Sequence, residues 1–238
     1  METQLRRLFE PHAGTTPAVG APGRADLSHA DLRALIDRTI ATLNGFGIGR
    51  GDRLAIVLPN GPEMASCFVA AACGTATAPL NPAYRADEFE FYLSDLKARA
   101  LVVEQGSTSP AVEVAQRMGV PLIELVPDMD AGAGSFTLRC ANPPGTAAAQ
   151  PGLAEPGDVS MVLHTSGTTS RPKIVPLSQA NLCASAQHIA RTLAFTGADR
   201  GLNIMPLFHI HGLIAGVLTP LAAGSMVFCT PGFNALKF

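Results

Sequence analysis

The chain of 238 residues has no tryptophan, and only 5% of its residues are aromatic and 15% are charged. Its net charge of −2 lacks the basic excess of nucleic-acid-binding proteins, so nucleic acid is not an expected partner. No apolar run is long enough for a membrane span, and the N-terminal residues lack the apolar core of a secretory signal. We therefore expect a cytoplasmic protein; a peroxisomal location stays open, because its address would be a C-terminal signal.

The five cysteines are odd in number and have no C-x-x-C spacing, which argues against both a disulfide framework and a zinc site. We expect them to be small core residues, and the sequence predicts no metal-ligating residue. Because 47% of the residues are hydrophobic, the chain has enough apolar side chains for a large buried core.

Residues 164–173 form the most informative segment, H-T-S-G-T-T-S-R-P-K between two apolar runs. Gly167 permits a left-handed turn and a close approach of the backbone to an anion, and Lys173 adds a positive charge. The spacing is not the Walker A pattern, which requires a glycine directly before the lysine. We predict a phosphate-binding loop; the alternative is a surface turn rich in serine and threonine. Its candidate ligands are Thr165, Ser166, Gly167, Thr168, Thr169 and Lys173.

Residues 205–213 read M-P-L-F-H-I-H-G-L and carry two candidate binding residues, His209 and His211. We expect an extended segment, in which residues two apart point the same way, so that both rings face one site. The alternative is that His211 caps or hydrogen-bonds the helix that follows. Three further histidines lack such a context and are assigned to the surface or to helices: His12, His29 and His188.

Strands and helices are predicted to alternate along the chain. Apolar residues at helical spacing predict helices that begin near Ser28, Gly61, Asp87, Pro110 and Ser178, and a buried helix over 213–222. Short apolar runs predict strands over 54–58, 75–80, 100–103, 121–126, 159–163, 174–177, 202–207 and 226–229. This alternation favours right-handed crossovers and an α/β fold with parallel-rich sheets covered by helices.

Residues 127–157 are rich in proline and glycine, which is typical of a connection or a long surface segment. We therefore expect residues 1–126 to form an N-terminal α/β subdomain. Residues 158–238 are expected to begin a second α/β subdomain that carries the phosphate-binding loop. The connection is expected to join two sheet regions.

The loop resembles the phosphate-binding signature T-S-G-T-T-G-x-P-K of the acyl-adenylate-forming family, with Ser170 where that family usually has glycine. Residues 205–213 resemble the family's P-x-F-H-x-x-G segment, and they follow the loop in the family's order. Residues 58–60, 79–82 and 176–182 are similar to the family as well. The family includes acyl- and aryl-CoA synthetases, luciferases and peptide-synthetase adenylation domains, and the resemblance implies the N-terminal part of its fold.

The resemblance also implies a two-step ligase reaction. An acid attacks the α-phosphorus of ATP to form an acyl-adenylate and pyrophosphate, and a thiol, usually coenzyme A, then displaces AMP. Mg²⁺, backbone N–H groups, the loop hydroxyls and a catalytic Lys173 would neutralise the departing pyrophosphate, while His209 would line the carboxylate side. A small-molecule carboxylate, ATP and coenzyme A are the partners that the resemblance implies.

Residues 79–84, 91–96 and 207–213 look most like the oxalate–CoA ligase branch of this family, which implies a small dicarboxylate as the acid. The second negative charge of such an acid would need donors or cations inside a poorly solvated pocket, and His211 is the candidate. A fatty-acid pocket would instead gain from an apolar residue at this position.

The match does not include the family's adenine-binding motif, its magnesium-binding glutamate, its ribose-binding aspartate, its hinge or its C-terminal domain with a second catalytic lysine. We therefore expect the N-terminal portion of a ligase, inactive by itself. Two alternatives stay open. One is a non-catalytic module that binds a nucleotide or phosphate. The other is a different adenylating enzyme, such as a fatty-acid or aryl-CoA ligase or a carrier-protein adenylation domain.

Overall fold

The computed structural model describes residues 1–165 and 172–236. Its strands are β1 (Pro17–Gly20), β2 (Leu27–Ser28), β3 (Arg53–Val57), β4 (Ala76–Pro79), β5 (Ala100–Glu104), β6 (Leu122–Pro127), β7 (Phe136–Arg139), β8 (Val159–Thr165), β9 (Lys173–Ser178), β10 (Arg200–Asn203) and β11 (Met226–Cys229). Its α-helices are α1 (Leu5–Leu8), α2 (His29–Gly45), α3 (Pro62–Ala72), α4 (Ala86–Leu96), α5 (Pro110–Met118), α6 (Gln179–Thr192) and α7 (Thr219–Ala222). A π-helix over Gly212–Leu218 runs directly into α7.

Within the described ranges, the larger sheet has seven strands in the order β7-β6-β5-β3-β4-β8-β9. The five inner strands are parallel, whereas the edge strands β7 and β9 are antiparallel to their neighbours. Helices α3, α4 and α5 each connect two parallel strands of this sheet. The predicted α/β class with parallel-rich sheets is therefore confirmed.

The central strand β3 explains why this sheet is covered on both faces. Leu54 and Ile56 are buried in the core that α2 and α3 share, whereas Ala55 and Val57 are buried in the core formed with α4 and α5. Successive strand residues point to opposite faces, so burial on both sides requires an uninterrupted apolar run. This is the run from which the strand was predicted.

The smaller sheet has the order β10-β11-β1-β2 in the described residues, and β11 is parallel to both β10 and β1. Its pairing joins the two ends of the chain, since Val19 lies opposite Val227. The larger sheet contains strands from both sides of residues 127–157 in the sequence, because β8, which follows this segment, pairs with β4, which precedes it. The expectation that 127–157 joins two sheet regions is therefore wrong. That segment contains β7 of the same sheet. A strand pairs with whichever strand edge is free and buried beside it, and not with the strand nearest in sequence.

The helix ends follow their predicted signals. The Ser28 hydroxyl accepts a hydrogen bond from the Asp31 N–H at 3.1 Å and caps α2, which ends at Gly45. The Ser178 hydroxyl accepts from the Asn181 N–H at 3.2 Å and caps α6 in the same way. Each bond satisfies a backbone donor that the first turn of a helix leaves free. Among the described residues, no helix combines the length and apolarity that a membrane crossing needs.

His29 lies in a helix, which is one of the two assignments expected for it, and it is not on the surface. Its side chain is fully buried in the first turn of α2, and Nε2 lies 3.2 Å from the Ser225 carbonyl oxygen. The His12 ring packs against it with 5.2 Å between ring centroids. Burial lowers the pKa of both imidazoles, so both favour the neutral form in the folded protein.

The cysteines are free thiols, and four of the five are buried, as expected of core residues. Cys140 is the half-buried exception. Burial raises the pKa of the Cys67, Cys183 and Cys229 thiols to about 12. These three side chains therefore stay protonated and pack as small apolar groups.

Candidate functional site

Thr165 and Lys173 face each other at the loop end of the β8–β9 hairpin. They form the last described pair of this antiparallel ladder, next to the pair of His164 and Ile174. Directly opposed residues project on the same face of a sheet, so the Thr165 hydroxyl and the Lys173 ammonium group share one exposed face. The two ends of the predicted loop are thereby held together. The other predicted loop ligands, Ser166, Gly167, Thr168 and Thr169, lie outside the described residues.

His164 anchors the strand from which the loop starts. Its side chain points to the face opposite Thr165 and is 5% exposed, and its Nε2 lies 2.9 Å from Oδ2 of Asp95 on α4. Its ring also packs edge-on against Tyr92, with 4.6 Å between ring centroids. Sequence reasoning missed Asp95 as a partner, because a hydrogen bond between a helix and a strand 69 positions away leaves no periodic signal.

The segment around His209 is a turn followed by a helix, so the expected extended conformation is wrong. β10 ends at Asn203, because the buried Asn203 side-chain oxygen accepts a hydrogen bond from the Met205 N–H at 3.2 Å and the chain turns there. His211 already has helical backbone angles. Because the segment is not extended, the alternation that would place His209 and His211 on one face of a strand does not apply.

It is His209, and not His211, that caps the following helix. The Nδ1 atom of His209 accepts a hydrogen bond from the backbone N–H of His211 at 3.3 Å. An accepting Nδ1 carries no proton, so this bond assigns the proton of a neutral ring to Nε2. Both side chains are exposed, and the Nε2–H group of His209 is therefore a donor suited to an anion.

Asn60 connects this turn to the larger sheet. It follows β3, and its side chain donates to the Met205 carbonyl oxygen at 3.1 Å and accepts from the Leu207 N–H at 2.8 Å. β3 and β8 are parallel with β4 between them, so their carboxyl ends lie at one sheet edge about 10 Å apart. The hairpin end and the His209 turn thus meet at this edge, which is where open α/β sheets bind ligands.

The groups at this edge suit anions. Lys173 offers a cation, and Thr165 and His209 offer hydrogen-bond donors. The part of the chain that the structure describes contains no group of three or more His, Cys, Asp or Glu side chains that could hold a metal ion. A groove of about 810 Å³ lies elsewhere, between α5 and β6, and contains none of the predicted site residues.

Comparisons with known proteins identify the family of the chain. The family described as AMP-binding enzyme matches residues 9–238. The oxalate–CoA ligase of Arabidopsis thaliana is 40% identical over 213 residues, which cover 88% of the chain and 41% of the relative. The oxalate–CoA ligase of Saccharomyces cerevisiae is 35% identical and covers 90% of the chain and 43% of the relative. The chain thus spans about two fifths of the curated relatives it matches.

More distant relatives are named for other acids. FadD13 of Mycobacterium tuberculosis H37Rv, a long-chain-fatty-acid–CoA ligase, is 29% identical and covers 89% of the chain and 41% of the relative. The sulfoacetate–CoA ligase of Cupriavidus necator is 29% identical, covering 81% and 37%. Among solved structures, apo MatB from Rhodopseudomonas palustris superposes with a TM-score of 0.81 at 23% identity, over 100% of this chain and 47% of MatB. That likeness shows the fold.

Proposed function

This chain belongs to the AMP-binding enzyme family, and on that premise we propose that the protein is an ATP-dependent acid–CoA ligase to which this chain contributes part of the active site. One observation carries the proposal. A single sheet edge holds an exposed lysine and threonine at the hairpin end and an exposed histidine donor in the neighbouring turn. The reaction needs a phosphate site beside a carboxylate site, and this edge offers groups suited to each.

The proposed role of Lys173 is to face the β- and γ-phosphates of ATP. When the acid attacks the α-phosphorus, negative charge grows on the departing pyrophosphate, and a fixed cation lowers the energy of that state. His209 is proposed to line the acid side and to donate from Nε2. The other loop groups are proposed to bind the same phosphates: the hydroxyls of Thr165, Ser166, Thr168 and Thr169 and the backbone N–H of Gly167.

Mg²⁺ is proposed as the counter-ion of ATP, where it would add positive charge near the phosphates. The described residues contain no acidic cluster suited to it, so no protein ligand is assigned to it. Coenzyme A is proposed as the second substrate, because the relatives above are named CoA ligases. Its thiol would attack the acyl-adenylate, and AMP would leave.

The proposed acid is small and carries a second anionic group, with oxalate as the first candidate. Relatives named for oxalate are 40% and 35% identical, and one named for sulfoacetate, which also has two anionic groups, is 29% identical. The second group keeps its charge after the first carboxylate reacts, so the pocket must supply donors for it. His209 and His211 are exposed donors at this edge. A long-chain fatty acid is the alternative, favoured by the relative FadD13.

The test uses residues 1–238 followed by the remainder of the Arabidopsis thaliana relative, here named the joined enzyme. Oxalate, malonate, acetate, a medium-chain fatty acid and 4-coumarate are compared for acid-dependent pyrophosphate release and for thioester formation. The same comparison is made with His211→Ala. A second enzyme, with the remainder of FadD13, separates the contribution of this chain from that of the added part.

We expect pyrophosphate release that requires both ATP and acid, and a preference for oxalate with either added part. His211→Ala is expected to lower the preference for oxalate over acetate about tenfold, the effect of one lost charge-assisted hydrogen bond. A folded joined enzyme that releases no pyrophosphate in response to any acid contradicts the ligase proposal. If oxalate is not preferred, or if His211→Ala leaves the ranking of acids unchanged, the dicarboxylate proposal fails and the broader ligase proposal stands.

A further inference from the structure

Asn60 makes an unusual pair of contacts with a segment far away in the sequence. Its amide donates to the Met205 carbonyl oxygen at 3.1 Å and accepts from the Leu207 N–H at 2.8 Å. These two backbone groups flank Pro206, which has no N–H to offer. The side chain therefore pairs with the turn as a neighbouring strand would, through one donated and one accepted bond.

The turn that Asn60 holds is tightly packed on its other side. Leu207 is 1% exposed, so its side chain fixes the turn in the core. Any side chain at Gly212 would collide with the Pro206 carbonyl oxygen, and a Cβ at Gly216 would lie 2.5 Å from Oδ1 of Asn203. The helix after His209 therefore packs tightly against one side of the turn. The bonds to Asn60 hold the other side.

The position of Asn60 links the two sheets. It follows β3 of the larger sheet, whereas Met205 and Leu207 follow β10 of the smaller sheet. His209 lies two residues beyond Leu207, and its own Nδ1 is engaged by the His211 N–H. A displacement of the turn would therefore move the exposed Nε2 of His209 relative to the hairpin end on β8 and β9.

From this geometry we propose that Asn60 is a positioning residue for the acid-binding side of the site, acting through the turn at 205–207 on His209. The proposal rests on the proposed function of His209. The expected signature is selective: loss of the Asn60 bonds raises the KM for the acid about ten- to a hundredfold, while the KM for ATP changes little. Asn60→Asp, which keeps an acceptor for Leu207 but loses the donor to Met205, should have an intermediate effect.

Asn44 provides a matched control. It also makes one donated and one accepted bond to backbone groups, to the nearby Ile48 carbonyl oxygen at 3.0 Å and from the distant Gly152 N–H at 2.7 Å. Asn44→Ala in the joined enzyme should lower the melting temperature much as Asn60→Ala does. The KM for the acid should stay unchanged, because neither Ile48 nor Gly152 belongs to the site.

The decisive experiment is a double-mutant cycle in the joined enzyme between Asn60→Ala and His209→Ala. If Asn60 acts through His209, the second substitution adds little to the rise in acid KM caused by the first. Independent, additive effects overturn the proposal, and so does an unchanged acid KM in Asn60→Ala or an equal rise in Asn44→Ala.

Hydrogen exchange gives a readout that does not depend on turnover. Asn60→Ala should speed exchange in the peptide 204–212, where the Leu207 N–H loses its acceptor, and not in the peptide around Gly152. If the joined enzyme shows no acid-dependent turnover, the proposed function fails on that result. Unchanged exchange at 204–212 then overturns the role of Asn60 separately.

Discussion

Replacing Lys173 with alanine in the joined enzyme should slow acyl-adenylate formation selectively. The backbone of Lys173 belongs to β9 and pairs with Thr165, while its side chain is exposed. Removing the side chain therefore leaves the antiparallel ladder and the core intact, and the change should act on charge alone. The protein should fold with nearly the same stability.

The magnitude follows from the exposure of this lysine. A unit charge about 4 Å from a phosphate oxygen is worth about 1 kcal/mol in bulk water and about 4 kcal/mol near a protein surface of lower effective dielectric. Because the Lys173 side chain is exposed, these two energies are the lower and upper bounds of its contribution. A loss of about 1 to 4 kcal/mol in transition-state stabilisation corresponds to a rate reduction of roughly fivefold to a thousandfold.

The assay separates the two half-reactions. Pyrophosphate release reports adenylation, and thioester formation from supplied acyl-adenylate reports the second step, in which no pyrophosphate departs. We expect a large loss in the first and little change in the second. Lys173→Arg should recover part of the rate, and Arg38→Ala, which removes an exposed cation from α2, should have no effect. An equal loss in both half-reactions would refute a role for Lys173 toward pyrophosphate.

Two further predictions concern stability. Gln179 is 1% exposed, and it accepts a hydrogen bond from the Leu5 N–H at 2.9 Å and donates to the Ala72 carbonyl oxygen. Gln179→Leu leaves the buried Leu5 N–H unpaired, whereas the Ala72 carbonyl oxygen keeps its bond from the Ser160 hydroxyl, so the unfolding free energy should fall by about 1 to 3 kcal/mol. An unchanged unfolding free energy in urea would contradict this. Burial lowers the pKa of His29, so the unfolded state binds a proton at this ring more readily than the folded state does. The stability that the neutral ring contributes should be fully present above the unfolded pKa of about 6.5 and should decrease as the pH falls below it. The melting temperature measured from pH 7.5 to 5.5 should therefore decline less in His29→Gln, and an unchanged slope would argue against the buried imidazole as the cause.

Local signals in the sequence determined much of the secondary structure. Ser28 and Ser178 were recognised as helix caps because a cap depends on residues three positions away, and both caps are present. The apolar run at β3 predicted a buried strand because burial on two faces requires it. The phosphate-binding loop was likewise predicted from contiguous residues, and the described ends of that loop, Thr165 and Lys173, lie opposite each other.

Tertiary structure alone decided the arrangements that depend on distant residues. β1 is a short strand, and one of its two neighbours, β11, lies more than 200 positions later in the chain, so no local periodicity could identify that pairing. The predicted extended segment at His209 became a turn and a helix because two asparagines, Asn203 and Asn60, satisfy its backbone groups from outside. His29 is buried where its ring meets the Ser225 carbonyl oxygen, in the segment between α7 and β11. The hydrophobic pattern of the sequence predicts which residues are buried. Which distant residues they contact depends on the strand order and packing of the two sheets.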